Sequence, residues 1–214
     1  MTWSARVLEH SPPVRRTREQ ALAQARQIVE GARGLVAERG AAVSTQELAK
    51  AGHVALQTFY RYFASKDELL LAVFEETIAG GCEALREAAR VLDDPIDRLH
   101  FYVTEALTEQ TGPAIPQFLT SEHYRLQQLY PAEVAAALQP FVDLLVPELR
   151  TAARDGALAP GDVARDALFV TRLVLSAFHY QAFAPDPVDR ERERQALWAF
   201  CLRGLGASGV EHEA

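Results

Sequence analysis

The chain has 214 residues, 49% of them apolar and 24% charged, with a net charge of −7. That balance is ordinary for a globular protein with a core of useful size, and it excludes a wholly disordered chain, a collagen-like repeat and a small disulfide scaffold. The charge is unevenly spread: residues 1–66 carry ten Arg or Lys against five Asp or Glu, a balance of +5, and the remainder carries −12. A basic first third on an acidic body suits a small module that neutralises phosphate while the rest repels it.

Residues 1–17 contain Pro12-Pro13 and no helical periodicity, which predicts a flexible arm bringing Arg15, Arg16 and Arg18 up to the first helix. From Glu19 to Arg39 the apolar positions Leu22, Ala25, Val29, Ala32 and Val36 recur at three and four, an amphipathic helix that stops at Gly40. Ser44-Thr-Gln-Glu47 is a capping box, in which hydroxyl and carboxylate each satisfy the other residue's amide, and it opens a short helix ending near Gly52. A second box, Ser65-Lys-Asp-Glu68, opens a long helix with the stripe Leu70, Phe74, Ile78, Cys82, Leu85, Ala89 and Leu92. Between the boxes there is room for one short helix, residues 55–63.

Beyond residue 92 the punctuation is proline. Asp94-Pro95 and Asp186-Pro187 each place a capping carboxylate before a proline at the first helical position. Pro131 precedes a helix from Ala132 to about Asp155, striped by Val134, Leu138, Phe141, Leu145 and Leu149 and expected to bend at Pro140 and Pro147. Gly112–Tyr130, broken by Pro113 and Pro116, predicts short helical pieces. Val163–Phe183 is apolar on most of its circumference, so it must be covered both by its own core and by something else. A last helix runs from Pro187 to about Gly204 with Leu197, Phe200 and Cys201 inward, and residues 207–214 read as a disordered tail. No segment reads as a strand. The expected fold is all-α: a helix-turn-helix domain over 18–64, a connecting helix over 65–92 and a second helical domain over 93–206.

Three helices in the first 63 residues, the last two short and joined by a tight turn, outline a helix-turn-helix. The stretch Leu48–Phe63 (LAKAGHVALQTFYRYF) with Ser65–Leu69 (SKDEL) resembles the DNA-binding domain of tetracycline-repressor (TetR) family regulators, over roughly residues 18–80. Ala49 and Val54 allow the short helices to cross closely, while Phe59 and Phe63 anchor the second. Gln57, Thr58, Arg61 and Tyr62 are left to face DNA: glutamine suits adenine, the threonine methyl suits thymine, and arginine suits guanine or phosphate. Ser44, Thr45, Tyr60 and Lys66 are candidate phosphate clamps, and Arg15, Arg16 and Arg18 candidate phosphate or minor-groove contacts. Two positions depart from the family pattern. His53 stands where a turn glycine is usual, so either it takes the left-handed conformation or the turn is rebuilt around Gly52. Ala55 stands where a capping serine is usual, so the second helix lacks a hydroxyl cap.

The resemblance further implies a homodimer on a pseudo-palindromic double-stranded operator, joined through late helices as a four-helix bundle. The Ala132–Asp155 and Val163–Phe183 helices are the candidates, through Leu138, Leu145, Val170, Val174 and Phe178. It also implies a small-molecule pocket whose occupancy releases DNA. Phe101, Tyr102, Phe118, His123, Tyr124, Phe141, Phe178 and His179 are its candidate lining, with Gly112–Tyr130 as gate, and their aromatic character suggests an apolar effector. The reading is therefore a ligand-responsive repressor; an effector-independent repressor is the alternative. An all-α enzyme is a distant third, since Glu122, His123, His100 and His179 lack ligand spacing and no glycine-rich phosphate loop, GxSxG or CxxC occurs. Nothing implies a metal or cofactor. The two cysteines, Cys82 and Cys201, predict reduced, half-buried thiols. With no apolar run of about 18–20 residues and no apolar centre of a secretory signal in the first residues, the expectation is a soluble, cytoplasmic protein.

Overall fold

A computed structural model of the chain describes residues 2–10, 15–108, 114–183 and 189–207, residues 15–17 in their backbone only. Among the described residues the regular elements are helices and none is a strand. In chain order they are α1 (Trp3–His10), α2 (Arg15–Arg39), α3 (Thr45–Ala51), α4 (Leu56–Tyr62) and α5 (Lys66–Ala88), the last closing in a 3-10 turn at Ala89–Val91. Then follow α6 (Pro95–Glu105), α7 (Ala114–Leu129), α8 (Pro131–Arg154), α9 (Val163–Ala182) and α10 (Arg190–Gly204). The helices fall into two units. One comprises Met1–Ala79 with Gln110–Leu138, the other Gly80–Glu109 with Gln139–Ala214. Helix α7 and the start of α8 thus group with the N-terminal helices, not with the rest of 93–206.

In the first unit, α2 buries Ala25, Val29, Ala32 and Val36 as its spacing predicts, together with Ile28, while Leu22, the first of the expected stripe, is half-buried. Helix α3 lies unusually close to it. A Cβ on Gly31 would stand 2.2 Å from the Ala51 carbonyl oxygen, and one on Gly52 would stand 2.9 Å from the Ile28 Cα. Helix α5 opens with six consecutive buried residues, Leu69 to Phe74. Helix α7 is one unbroken rod, in contrast to the short pieces expected. Pro116 falls in its first turn, where the missing amide would have had no partner in any case; Gly112 and Pro113 lie outside the described residues. Arg125 of α7 pairs with Asp67 in the first turn of α5 at 2.6 Å, and also with Glu122.

The arm expected over residues 1–17 is corrected by α1. Trp3 and Val7 are buried, the Trp3 amide donates to the Glu75 carboxylate at 2.8 Å, and Arg6 pairs with Glu75 at 2.6 Å. Burial pushes the Glu75 carboxyl above its ordinary range, with Arg6 opposing the shift. Residues 11–14 lie outside the description, and α2 begins at Arg15, four residues before the expected start.

In the second unit Asp94 caps α6 as predicted, accepting from the amides of Ile96 and Asp97 at 2.7 and 3.2 Å with Pro95 behind it. Arg98 joins α6 to α8 through Glu148 at 2.8 Å. Helix α8 continues through Pro140 and Pro147. Asp162 caps α9. Helix α10 begins at Arg190 under an Asp189 cap, while Asp186-Pro187, the cap expected from sequence, lies outside the described residues, as do 208–214 of the expected tail. Trp198 and Cys201 form the buried face of α10; Phe200, expected inward, is 55% exposed. No described helix is long and apolar enough to cross a membrane.

The contact between α2 and α3 yields a paired prediction. Gly31→Ala should destabilise the protein by about 1–3 kcal/mol, because its methyl would meet backbone. Gly34→Ala, one turn on and with nothing within 4 Å of its Cβ, should instead gain about 0.5–1 kcal/mol. Urea unfolding of both variants checks the difference in sign.

Candidate nucleic-acid interface

The helix-turn-helix is α3, a four-residue link and α4, all in the first unit. Ser44 caps α3 in the predicted box: its hydroxyl accepts from the Glu47 amide at 3.2 Å, and the Glu47 carboxylate accepts from the Ser44 amide at 2.8 Å. The Ser44 hydroxyl also donates to Glu47 at 2.8 Å, so in the free chain its single proton is engaged within the cap. These bonds, with Arg39 at 2.6 Å, hold the Glu47 carboxyl well below its ordinary value of 4.5, at about 2. Thr45, half-buried, is the first helical residue.

The turn divides two demands between neighbours. Gly52 ends α3 at φ −79°, an ordinary conformation, and needs to be glycine only because Ile28 leaves no room for a Cβ. His53 takes the left-handed conformation at φ +56°. The Val54 amide then bonds back to the Ala49 carbonyl at 3.0 Å, closing the turn. Ala55 is the N-cap of α4 and makes no side-chain bond, as expected.

On α4 the inward stripe is Phe59, Tyr62 and Phe63, with the two phenylalanine rings 6.0 Å apart. Tyr62 is 5% exposed, which removes it from the DNA-facing set. The correction follows from spacing, because Tyr62 sits three residues after Phe59 and shares its face. Arg61 lies over the Tyr62 ring at 5.0 Å and donates to its hydroxyl at 3.2 Å. Gln57, Tyr60 and Arg61 stand exposed, Thr58 is half-buried, and Leu56, which the sequence reading passed over, is 37% exposed. Leu56 lies three residues before Phe59, so spacing places it with the inward stripe, yet more than a third of its surface stays in water. At the start of α5 the Ser65 hydroxyl accepts from the Glu68 amide at 3.1 Å, while the Glu68 carboxylate takes the Ala64 amide at 2.6 Å in place of Ser65's own. Lys66 donates to the Ala41 carbonyl at 3.1 Å. Arg18 is exposed on α2; the side chains of Arg15 and Arg16 lie outside the description.

The expected ligand-pocket residues divide between the units. Phe118 and His123 are buried in the first, where His123 stacks on Phe74 at 6.0 Å and burial lowers its pKa. Tyr124, beside them, is 63% exposed on the surface of α7. Tyr102 and Phe141 are buried in the second unit, with Phe101, Phe178 and His179 half-buried. Of the expected dimer contacts, Leu145, Val170 and Val174 are buried by the chain's own packing, Leu145 completely, and Leu138 and Phe178 are half-buried. Leu168 and Phe169 of α9 and Phe200 of α10 are exposed, and Phe169 and Phe200 flank a groove of about 390 Å³ floored by Val170, Cys201 and Leu205. Among the described residues no group of three or more His, Cys, Asp or Glu is placed to hold a metal ion. Glu122 is committed to Arg125, and His100 faces Gln195 and Trp198. Burial raises both thiols, Cys82 to about 12 and Cys201 to about 11.

These features define a helix-turn-helix protein of the all-α class. Residues 28–73 match the family model of the bacterial regulatory proteins, tetR family. No curated protein matches it in sequence. Solved structures share the fold. FadR from Bacillus subtilis, in complex with stearoyl-CoA, is 18% identical with a TM-score of 0.67, over 83% of this chain and 97% of that one. FadR from Thermus thermophilus, a transcriptional repressor in complex with lauroyl-CoA, is 23% identical with a TM-score of 0.66, over 89% and 97%. RolR in complex with resorcinol is 22% identical with a TM-score of 0.66, over 91% and 92%.

The left-handed turn gives the second prediction. His53→Val should destabilise by about 1–2 kcal/mol, because a β-branched residue resists positive φ. His53→Gly should stay within about 1 kcal/mol of the parent, since relief of strain is offset by the freer unfolded chain. Thermal unfolding distinguishes them.

Proposed function

We propose that the chain is a homodimeric transcriptional repressor that binds a pseudo-palindromic operator through α4 of each protomer and is released by a small apolar or aromatic effector. The observation that carries the reading is the division of α4 into a buried anchor, Phe59, Tyr62 and Phe63, and an exposed face bearing Gln57, Tyr60 and Arg61. A helix anchored on one side and polar on the other is built to enter a major groove, with Lys66 and Tyr60 beside it for phosphate. Arg18, Arg16 and Thr45 are assigned accessory backbone contacts.

One such module buries too little surface for useful specificity, which calls for two. The exposed apolar residues of α9 and α10 suit a second copy, and they move the proposed interface from the α8–α9 pair to α9–α10, with Phe169 and Phe200 central. The effector class rests on the aromatic residues of the second unit, Phe101, Tyr102, Phe141, Phe178 and His179, and on acyl-CoA and resorcinol as the ligands of the similar folds.

The test is a mobility-shift assay on duplexes from the DNA flanking the coding sequence, repeated across salt and then with acyl-CoA thioesters and small phenols. Retarded duplex released by one of these classes is expected; no retardation at low salt overturns the reading. Arg61→Ala should weaken binding and relax base preference, whereas Lys66→Ala should weaken it evenly and flatten the salt slope by about one unit. A double variant, Phe169→Glu with Phe200→Glu, should sediment as a folded monomer and lose about 100-fold or more in operator affinity, because two linked modules gain avidity on the order of 10² or more. A dimer that survives both charges would move the interface elsewhere.

A further inference from the structure

The leading edge of α4 is methyl-rich where a polar residue would be expected. Ala55, the cap, is exposed and offers no hydrogen bond; Leu56, the first helical residue, keeps 37% of its surface in water; Gln57 follows, exposed. Helix α4 turns Phe59, Tyr62 and Phe63 fully inward, whereas the chain's own packing leaves more than a third of Leu56 in solvent. Residues at the N-terminal end of a recognition helix are those that meet base edges. Among the four bases only thymine presents a methyl group in the major groove. A leucine there gains by desolvation against that methyl and gains nothing against a cytosine amino group, which it would leave without a hydrogen bond.

We propose that Leu56 is a specificity-determining residue that packs on the C5 methyl of a thymine, beside the adenine read by Gln57, so that each half-site carries an A·T step under the start of α4. The inference rests on the repressor reading above and deepens it. It also reassigns the methyl contact: Thr58, the sequence candidate, is half-buried, whereas Leu56 reaches further into solvent.

The experiment selects duplexes from a random pool with the full-length protein and then replaces each half-site thymine in turn with uracil, which removes the methyl and leaves pairing intact. One position should lose about three- to ten-fold in affinity on losing its methyl, the scale of burying one such group in each of two half-sites. Leu56→Ala, at a surface position and with its melting temperature checked against the parent, should bind the thymine duplex more weakly and lose the distinction between thymine and uracil. Leu56→Met, which keeps an apolar reach, should retain it. A uracil scan that is flat in the parent overturns the proposal, as does equal sensitivity in parent and Leu56→Ala. A pool that yields no enriched duplex overturns the repressor reading itself and this inference with it, so the two failures are separable.

Discussion

The α2–α3 crossing constrains everything that follows it in the first unit. At Gly31 and Gly52 the two backbones stand where a single methyl would collide with a carbonyl oxygen or a Cα. Glycine inside a helix costs about 1 kcal/mol against alanine, and Gly31 carries that cost inside α2 because the approach leaves no alternative. Once α3 is seated, the link of Gly52 to Ala55 has one route: His53 must turn left-handed for the Val54 amide to reach Ala49. Helix α4 then leaves at a fixed angle and is held by three aromatic rings. The exposed face of α4 is thus set by a steric condition at two glycines.

Local chemistry was legible and distant chemistry was not. The box at Ser44 and the cap at Asp94 act within three residues, so sequence spacing contains the whole interaction. The His53 conformation was legible for the same reason, since only two residues compete for the turn. Helix α1 was not, because its anchors Trp3 and Val7 are only two apolar positions and their partner, Glu75, lies about seventy residues away. Pro116 was read as a breaker because proline in isolation cannot report whether it falls in the first turn of a helix or its middle. Phe200 was read as inward because aromatic residues usually are, whereas the neighbouring Trp198 holds the buried face. Phe200 instead lines, with Phe169, the groove on which the proposed interface rests.

Helix α7 illustrates how a unit can differ from the segment of sequence that supplies it. It lies beyond residue 92, yet its buried face joins the helix-turn-helix unit, and Arg125 ties it to Asp67, the neighbour of Lys66. Phe118 and His123, expected to line a pocket, are therefore packed in the same unit as α4, with His123 against Phe74 of α5. The lowered pKa of that histidine favours the neutral ring, consistent with its apolar seat.

The energies on which the proposed base reading by Arg61 turns are small. In the free protein its guanidinium rests on the Tyr62 ring and bonds the phenol oxygen, both partners fixed by the burial of that ring. An exposed cation–π contact contributes about 0.5–1 kcal/mol. A bidentate contact with guanine discriminates by about 1–3 kcal/mol. In the proposed complex the arginine gives up its resting contact at every site alike, so that contact lowers affinity and leaves the preference between bases unchanged. Burial of Tyr62, which removes it from the DNA surface, is what keeps that resting place available.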